Sequence, residues 1–570
     1  MVFVKQLPLP SLEDTLPRYL AAVEPLLDPA ELARTRAAVA EFAEGVGPAC
    51  QEELERYGEQ ESADGHSWLS RAWLDSYLTV RTPLPLSSSV AFDLAWPASG
   101  GDRPGGVARA AEVVHAFAEA HLAHLRGEVP ADETPRGDPI DMQQWVVAAG
   151  GIRHPRPERD EWRPGPTDPA GREVGVLWRG RCLFVPVSDA EGRALPAATI
   201  AAALEEVVAL PAAEEDVAAL SSLGSERVAP YLDDLLADPD NRAAYDRLTA
   251  ALFMVRLDDE PAEPAAWLRR CVFEPGSSWA YKPLTYQVSL VEDHVGVQLE
   301  HSVSDGATVA SLIARAQAAA GAPTEPAGEP PRVDELTWII EPAVREAIAA
   351  DLAAHREEVA AHRIRIERVP SPVPDGLRFS VDAAQQWLML HAQLATYGWV
   401  RSTYEAVDMR EYAAGRTECL RPNTTPAVVL AAALADGTAT PEQVTTAAEA
   451  HREAVKTAKS GHAVDRHLLA LGLAAERLGV TSPLHEDEGY RRLTTDFLST
   501  TSLGARGQIL RCGFAPTTPG GIGFYYAADG DALEFTVSWR EDQAERVDEV
   551  VAQLHRGATT LAVPLRALAG

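Results

Sequence analysis

The clearest candidate for chemistry is a histidine in the segment EHSVSDG, in which Glu300 precedes His301, Asp305 follows four residues later and Gly306 comes next. An imidazole titrates close to neutral pH, so His301 could take a proton from a hydroxyl as a general base. Asp305 could hold the imidazole, and glycine permits backbone conformations that other residues avoid. The alternative is a structural histidine beside a helix-capping aspartate, because short motifs have many false positives.

The residues around His301 predict a strand that gives way to a helix. Apolar residues alternate between positions 286 and 299 on both sides of an acidic pair at 292–293, which predicts two half-buried strands joined by a turn. After Gly306 the apolar residues recur every three or four positions, which predicts a helix. His301 is therefore expected at a strand-to-helix junction.

Three further patterns describe the rest of the chain. Apolar residues at helical spacing follow Ser11 and predict a first helix that packs on the core. Asp529-Gly530, flanked by alternating apolar residues, predicts a second hairpin. Stretches rich in proline and glycine at 97–106, 155–171, 321–331 and 370–375 predict loops between structured blocks.

Length and composition indicate a globular protein with more than one domain. A chain of 570 residues is long for a single core. Its composition, with 46% hydrophobic and 24% charged residues, is typical of a globular protein. No apolar run approaches the roughly 18 residues of a spanning helix, and no secretory signal pattern opens the chain. We therefore expect a soluble, cytoplasmic protein without a membrane span.

Cysteine use and charge exclude several classes. The five cysteines are scattered and never form a CxxC pair, so neither a disulfide framework nor a metal site is predicted. The formal net charge of −33 repels nucleic acid and anionic lipid, so neither is an expected partner. Few lysines beside many arginines and alanines favour a bacterial source with a GC-rich genome.

Segments along nearly the whole chain resemble, in order, those of the carnitine/choline acyltransferase family. EHSVSDG is similar to the family's EHxxxDG or EHxxxEG catalytic segment. The other similar segments are LPLPSLEDTLPRYL, SWLSRAWLDSYLTVRTPLP, STYEAVDMREYAAGRTECLRP, VDRHLLALGL and LSTTSLGARGQILRCGFAPTTPGGIGFYY. Several such segments in family order are much more specific than any one of them.

The resemblance implies an α/β fold of two chloramphenicol-acetyltransferase-like domains, each a mixed sheet with helices. An active-site tunnel would lie at their interface, with His301 midway along it. Residues 81–341 would form the domain that bears the histidine. Residues 1–80 and 342–570 would together form a second domain that carries acceptor-binding and oxyanion residues.

The resemblance also implies a mechanism of direct acyl transfer between a thioester and a hydroxyl. His301 would be the general base, and no acyl-enzyme would form. Asp305 and Arg416 match the acidic position and its arginine partner, although the two could be an ordinary ion pair. A hydroxyl would stabilise the oxyanion. Counting from Leu498 places Thr501 at that position, whereas counting back from Phe514 favours Ser502.

The implied acceptor is carnitine or another alcohol that bears a carboxylate. Tyr404, Thr417 and Arg466 match the positions that bind this carboxylate in carnitine-specific members, and Phe514 would complete the acceptor site. Choline-specific members carry an apolar residue and an asparagine at the positions of Thr417 and Arg466. The alternative for Arg466 is a surface arginine on a helix.

The implied donor is an acyl ester of coenzyme A, a substrate rather than a bound cofactor. Typical members bind its 3′-phosphate with lysines before an SPD segment, whereas this chain has Arg378 followed by Ser380 and Asp382. A phosphopantetheine arm on an acyl carrier protein would not need those lysines. Such a carrier is acidic and would need a positive docking face, for which Arg363, Arg365, Arg368 and Arg378 are the candidates.

Acyl length and two rival functions remain open on the sequence. Cys512 stands where short-chain members have a bulky methionine, and the smaller side chain could admit a longer acyl chain. One position rarely decides a pocket, however, and we expect short or medium, straight or branched acyl groups. One rival is a condensation-type acyltransferase with an HHxxxDG motif and an amine acceptor. The other is a non-catalytic binding module that has kept the fold.

Overall fold

The computed structural model describes residues 4–97, 105–320, 331–504 and 506–569. Most of two predicted loops, 97–106 and 321–331, lies outside the described residues. In the described ranges every helix is too short or too polar to cross a bilayer. No group of three potential metal-ligating side chains occurs there, and all five cysteines are buried free thiols.

Strands and helices alternate irregularly along the chain. The strands are β1 Val90–Leu94, β2 Gly151–His154, β3 Glu161–Pro164, β4 Glu173–Trp178, β5 Arg181–Pro186, β6 Met254–Asp258, β7 Leu284–Ser289, β8 Val295–Leu299, β9 Asp334–Leu336, β10 His362–Pro370, β11 Thr403–Asp408, β12 Thr417–Leu420, β13 Leu498–Thr501, β14 Ile509–Phe514, β15 Ile522–Asp529 and β16 Ala532–Arg540. The helices are α1 Leu12–Val23, α2 Pro29–Glu44, α3 Gly47–Ala63, α4 Ser70–Leu78, α5 Gly106–Leu125, α6 Ala197–Val208, α7 Ser225–Leu235, α8 Pro239–Ala250, α9 Pro264–Phe273, α10 Gly306–Ala319, α11 Pro342–Ala360, α12 Val381–Tyr397, α13 Thr425–Ala435, α14 Pro441–Lys459, α15 Asp465–Leu478, α16 Pro483–Glu486, α17 Glu488–Thr494 and α18 Val547–Ala569. Short 3₁₀ helices cover Glu24–Leu26, Leu84–Leu86, Gln143–Ala149 and Ala219–Ser222.

Most strands form two mixed sheets, which confirms the predicted α/β class. The first sheet has the order β14-β1-β8-β7-β6-β4-β5-β9 and the second β10-β16-β15-β13-β11-β12. Each combines parallel and antiparallel pairs: β6 and β7 are parallel in the first sheet, for example, whereas β7 and β8 are antiparallel. A separate sheet pairs β2 with β3, and β3 lies within the predicted loop 155–171, which is therefore not entirely irregular.

The predicted hairpin before His301 is present, but its strands are fully buried rather than half-buried. One face packs in a core with residues of α5 and α10. The other face, which carries the polar alternate residues, lies against α9 and the loop that follows it. Gln287 there donates to the carbonyls of Cys271 and Ser277, each at 3.1 Å. The polar residues satisfy protein groups, so their alternation does not mark a solvent-facing side.

The second sheet shares a core with helices from both ends of the chain. That core contains residues of α1–α3 together with α12, α13, α15 and α18. The first helix begins after Ser11 as predicted, and the Ser11 side chain accepts from the backbone N–H of Asp14 at 3.2 Å. The predicted turn at Asp529-Gly530 joins β15 to β16, and Gly530 supplies a positive φ of 62°.

One strand links the two halves of the molecule. β14 follows β13 in the chain, yet it pairs antiparallel with β1 and so forms an edge of the first sheet. The sheet that leads to His301 therefore includes a strand from outside residues 81–341. The division of the chain into 81–341 and the remainder stays a prediction.

Candidate active site

His301 lies in the segment between the end of β8 and the start of α10, as predicted. Asp305 occupies the N-cap position of α10, but its side chain makes no capping hydrogen bond. Its carboxylate is directed instead at Arg416 and His301. The helix-capping interpretation of Asp305 is therefore wrong for its side chain.

Arg416 fixes the conformation of the segment that contains His301. Its guanidinium donates to both carboxylate oxygens of Asp305, at 2.8 and 3.0 Å, and to the carbonyls of His301 and Ser302 at 3.0 and 2.8 Å. Burial alone would raise the pKa of the Asp305 carboxyl, but Arg416 and the hydrogen bonds hold that pKa well below its usual range. Asp305 is therefore an anion throughout the neutral range.

The imidazole of His301 has two contacts at the same nitrogen. Nδ1 lies 3.3 Å from Oδ1 of Asp305 and 3.3 Å from the hydroxyl of Tyr77. The Tyr77 ring stacks on the imidazole with an interplanar angle of 3°. A carboxylate beside Nδ1 favours a proton on that nitrogen, which leaves the Nε2 lone pair available to accept a proton.

Two buried residues outside the sequence motifs, Gln144 and Arg153, support this segment. Gln144 donates to Asp305 Oδ2 at 2.8 Å and accepts the backbone N–H of Asp305 at 2.7 Å. Arg153 donates to Glu300 at 3.1 Å and to the carbonyl of Tyr77 at 2.7 Å. Tyr77 lies in a segment that the sequence marked, whereas Gln144 and Arg153 gave no signal because their contacts come from distant parts of the chain.

A cavity of 410 Å³ opens between the two sheets beside His301. It brings together most of the predicted site. The residues of the sequence prediction that line it are His301, Asp305, Tyr404, Thr417, Arg466, Thr501, Ser502, Cys512 and Phe514. Trp73 and Tyr77 also line it and were not singled out. Arg416 lies behind the cavity and reaches it through Asp305.

Arg466 presents a positive charge to this cavity. It is only 7% exposed, so the interpretation as a surface arginine is wrong. Its guanidinium donates to the hydroxyl of Tyr404 at 3.1 Å and to the carbonyl of Thr417 at 3.0 Å, and it lies 3.9 Å from the centre of the Trp73 ring. In the described part of the chain no carboxylate lies within ion-pair distance of it. Glu418 and Asp465 act on its charge from a longer distance, so the guanidinium itself keeps donors free to bind an external anion.

The two candidate hydroxyls lie at the end of β13. Thr501 is the last residue of that strand, where it is opposite Tyr525 of β15. Ser502 follows the strand, and its hydroxyl accepts the backbone N–H of Gly504 at 3.3 Å. Both residues line the cavity, so each could donate to an oxyanion.

Comparison with known proteins agrees with this geometry. The family profile of choline/carnitine O-acyltransferases matches residues 7–556. The chain belongs to the choline/carnitine O-acyltransferase family. It is similar to the mitochondrial carnitine O-palmitoyltransferase 2 of Xenopus tropicalis, with 27% identity over 94% of this chain and 88% of that protein. It is likewise similar to the carnitine O-acetyltransferase of Columba livia, with 26% identity over 93% of this chain and 88% of that one.

Similarity to solved structures is weaker. The trichothecene 15-O-acetyltransferase TRI3 of Fusarium sporotrichioides has 10% identity and a TM-score of 0.39, covering 86% of this chain and 94% of that one. Family membership makes the protein an acyltransferase.

The predicted donor residues of this acyltransferase lie apart from the cavity lining. Ser380 caps α12 by accepting the backbone N–H of Ala383 at 3.1 Å. Asp382 interacts with His451 at 2.9 Å and accepts from the Tyr526 hydroxyl at 2.8 Å. Burial tends to raise the pKa of Asp382, but these hydrogen bonds lower it overall. Arg378 is exposed, and no ion pair engages it in the described ranges.

The upstream arginines do not form a net positive face. Arg363 pairs with Glu541, and Arg365 pairs with Glu367 and with Asp548. Arg368 lies 3.2 Å from Asp529 and 3.9 Å from Asp531. Because acidic groups neutralise each of these arginines, the face predicted to dock an acidic carrier protein lacks its charge.

Cys512 and Phe514 reach the cavity from β14. Cys512 is opposite Phe92 in the strand pair with β1, and both side chains line the cavity. Burial raises the pKa of the Cys512 thiol, so it is not activated as a thiolate nucleophile. Its position fits a wall residue better than a reacting one.

Proposed function

We propose that this protein transfers an acyl group between coenzyme A and the hydroxyl of carnitine or a similar alcohol that bears a carboxylate. The observation that carries the proposal is the buried guanidinium of Arg466, which lies in the same cavity as His301 and has no carboxylate within ion-pair distance among the described residues. The names of the similar palmitoyl- and acetyltransferases support carnitine as the acceptor.

The acceptor would be held at both of its ends. Its carboxylate would accept from Arg466, with the hydroxyls of Tyr404 and Thr417 as further donors. A quaternary ammonium group would lie against the ring of Phe514, since an aromatic face attracts a cation. Its hydroxyl would then point toward Nε2 of His301.

Acyl transfer would proceed through one tetrahedral intermediate. Nε2 of His301 takes the acceptor's hydroxyl proton as the oxygen attacks the thioester carbonyl, and Asp305 stabilises the resulting imidazolium. The hydroxyl of Thr501 or Ser502 donates to the oxyanion. The intermediate collapses by breaking the carbon–sulfur bond, and the imidazolium returns the proton to the thiolate. The raised pKa of Cys512, the cysteine that lines the cavity, supports transfer without a cysteine-linked acyl-enzyme.

Coenzyme A is the donor that we favour over a carrier protein. The neutralised arginines on β10 remove the main argument for carrier docking. Arg378, which has no ion pair among the described residues, would meet a phosphate, and its planar fork could engage two oxygens. We propose a cytoplasmic location and short or medium acyl groups on the sequence argument alone; the similar proteins include both palmitoyl- and acetyltransferases.

The test is thiol release from acyl-CoAs of increasing length, with and without L-carnitine. We expect carnitine-dependent release by the wild-type protein, and a loss on the order of a thousandfold in His301→Ala, as removal of a general base predicts. Arg466→Gln should raise the KM for carnitine at least tenfold. A matched control is Arg477→Gln, which changes an arginine on the same helix that pairs with Glu53 outside the cavity.

The outcomes separate the remaining functions. Release that requires an amine instead of carnitine would favour the condensation-type reaction. Release from carrier-bound acyl groups but from no acyl-CoA would favour the carrier-protein donor. Binding of acyl-CoA without any release would favour a non-catalytic module, and would contradict the proposal.

A further inference from the structure

A buried polar cluster lies on the far side of β11 and β13 from the cavity. Its centre is Glu405, which is 6% exposed. Gln386 of α12 donates to Oε2 of Glu405 at 2.8 Å, and the Tyr526 hydroxyl of β15 lies 2.9 Å from Oε1. The Thr500 hydroxyl of β13 is also in hydrogen-bond contact with Oε2. In the described ranges no lysine, arginine or histidine lies within ion-pair distance of this carboxyl group.

The hydroxyl protons in this cluster are too few for its oxygen–oxygen contacts. The Tyr526 oxygen lies 2.8 Å from the carboxylate of Asp382 as well as 2.9 Å from Glu405. The Thr500 oxygen lies 2.8 Å from the carbonyl of Tyr404 and also contacts Glu405. Tyr526 and Thr500 supply one proton each for these four contacts. If Glu405 were ionised, two contacts would join oxygens with no proton between them.

A proton on Glu405 supplies the missing hydrogen for one of these two oxygen–oxygen contacts. Protonated at Oε2, Glu405 donates to Thr500, and Thr500 then donates to the carbonyl of Tyr404. Tyr526 can then donate to Asp382, which is the anion that His451 engages. The arrangement thus favours one neutral and one charged carboxyl group, as expected for two acids that share a hydroxyl.

From this cluster we infer that Glu405 is held as a carboxylic acid and that, in this form, it positions β11 against β13 for the reaction. The inference rests on the proposed function, because it concerns the residues on the opposite face of the same strands. Tyr404 is opposite Ser499, and Glu405 is opposite Thr500, in the parallel pairing of β11 with β13. The next residue along β13 is Thr501, a candidate oxyanion donor.

Glu405 is thus a positioning residue that acts through Tyr404 and Thr501. The Thr500 hydroxyl joins the carboxyl group to the carbonyl of Tyr404. Loss of the Glu405 proton would place a second negative charge beside Asp382 and break this chain of donors. The separation between Tyr404 on β11 and Thr501 on β13 would then be less strictly fixed.

Electrostatics around the cluster agrees with a neutral acid. Burial raises the pKa of Glu405 to about 8, and the charge of Asp382 acts in the same direction. The groups that face Glu405 are Gln386 and Asp382 from α12, Thr500 from β13 and Tyr526 from β15, and His451 of α14 meets Asp382. Among these the charged groups are Asp382 and, when protonated, His451.

The first experiment measures the protonation of Glu405 directly. Infrared spectra of the wild-type protein and Glu405→Gln, recorded from pH 6 to 10, should show a protonated-carboxyl stretch at pH 7 that is missing in the variant and lost in the wild type near pH 8. Absence of that band would overturn the inference, whatever the acceptor proves to be. Failure of the wild type to use carnitine would instead count against the proposed function.

The second experiment tests, by enzyme kinetics, whether the Glu405 proton is needed to position β11 against β13. A single ionisation near pH 8 should lower the wild-type kcat about tenfold between pH 7 and pH 9. Glu405→Gln, whose amide can still donate, should retain activity within a few-fold at pH 7 and lose this alkaline decline. Glu405→Ala should lower kcat at least tenfold at pH 7, with a smaller effect on the KM for carnitine.

Two comparison variants make the result decisive. Glu418 is a second buried glutamate, on β12, whose pKa burial raises to about 7. If Glu418→Gln removes the alkaline decline and Glu405→Gln does not, the inference is wrong. Tyr526→Phe removes the hydroxyl shared by the two carboxyl groups. A folded Tyr526→Phe protein should show its alkaline decline at a shifted pH; an unshifted decline would also overturn the inference.

Discussion

Asp305 combines deep burial with a full negative charge, and both properties depend on Arg416. The pair is bidentate, and Arg416 in addition donates to two carbonyls of the segment that contains His301. Removing one partner of a buried pair leaves the other charge uncompensated, which typically costs about 3–5 kcal/mol. The same pair therefore determines both the stability of the segment and the orientation of His301.

Asp305→Asn is expected to lower kcat by about two orders of magnitude, because the amide stabilises an imidazolium poorly and leaves Arg416 unpaired. Steady-state kinetics and chemical denaturation measure the two effects. The control is Asp132→Asn, which removes a largely buried acid that pairs with Arg315 and Arg410 outside the cavity. That variant should lose stability while retaining most of its kcat.

The pH dependence of the Asp305 effect has a definite sign. Its folded-state pKa lies below the unfolded value of about 3.9, so its contribution to stability is present above that value and lost as pH falls through the lower folded pKa. The difference in unfolding free energy between wild type and Asp305→Asn should therefore shrink below about pH 4. A difference that grows under acid would show that Asp305 is not held as an anion.

At the residue scale, the sequence identified groups whose roles follow from type and local spacing. His301 and Asp305 stand four residues apart in one segment, and both line the cavity. Gln144 and Arg153 contact that segment from about 150 residues upstream. Nothing in their own neighbourhoods distinguishes them from ordinary polar residues, because a long-range contact leaves no mark on local spacing.

At the element scale, strand geometry distinguishes the two candidate oxyanion hydroxyls. Thr501 belongs to β13, whose backbone is held by β11 on one side and by β15 on the other. Ser502 lies beyond the strand, where its hydroxyl already accepts from Gly504. A donor fixed by a sheet costs less reorganisation in the transition state than one on a connecting segment. We therefore propose Thr501 as the donor, although counting back from Phe514 favours Ser502.

Thr501→Val keeps the side-chain shape and removes the hydroxyl. We expect it to lower kcat by about 100-fold with little change in the KM for either substrate, as for loss of one oxyanion donor. Ser502→Ala should have a smaller effect. Parallel kinetics of the two variants decide the question, since a larger loss in Ser502→Ala would restore the assignment that counting from Phe514 gives.

Helices and turns could be predicted where capping and turn residues lie in the same stretch of sequence. The position of a strand in a sheet was harder to predict, because it depends on pairing with distant strands. The helix after Ser11 and the turn at Asp529-Gly530 follow from capping and turn chemistry, and both are present. The pairing of β14 with β1 could not be predicted from the sequence, because strand pairing depends on distant residues. Arg511 of β14 shows the consequence: it lies 2.8 Å from Asp93 of the first sheet and 2.8 Å from Glu534 of the second.

For the whole molecule, the net charge of −33 produces a negative electrostatic potential that acts on every charged substrate as it approaches. Coenzyme A carries several negative charges on its phosphates, whereas carnitine is a zwitterion. The upstream arginines on β10 are neutralised by acidic partners, whereas Arg378, near the N-terminus of α12, is exposed and has no ion pair among the described residues. We therefore expect long-range repulsion of the donor to outweigh local attraction.

Screening this field should therefore help the donor to bind. The Debye length falls from about 30 Å at 0.01 M salt to about 8 Å at 0.15 M, so the KM for acyl-CoA should fall a few-fold over that range. The control substrate is an acyl-pantetheine, which lacks the phosphates and should show no salt dependence. Arg378→Gln should raise the KM for acyl-CoA at every salt concentration. If the KM for acyl-CoA instead rises with salt, local cations must outweigh the charge of the whole chain, and the donor site must then hold basic groups beyond Arg378.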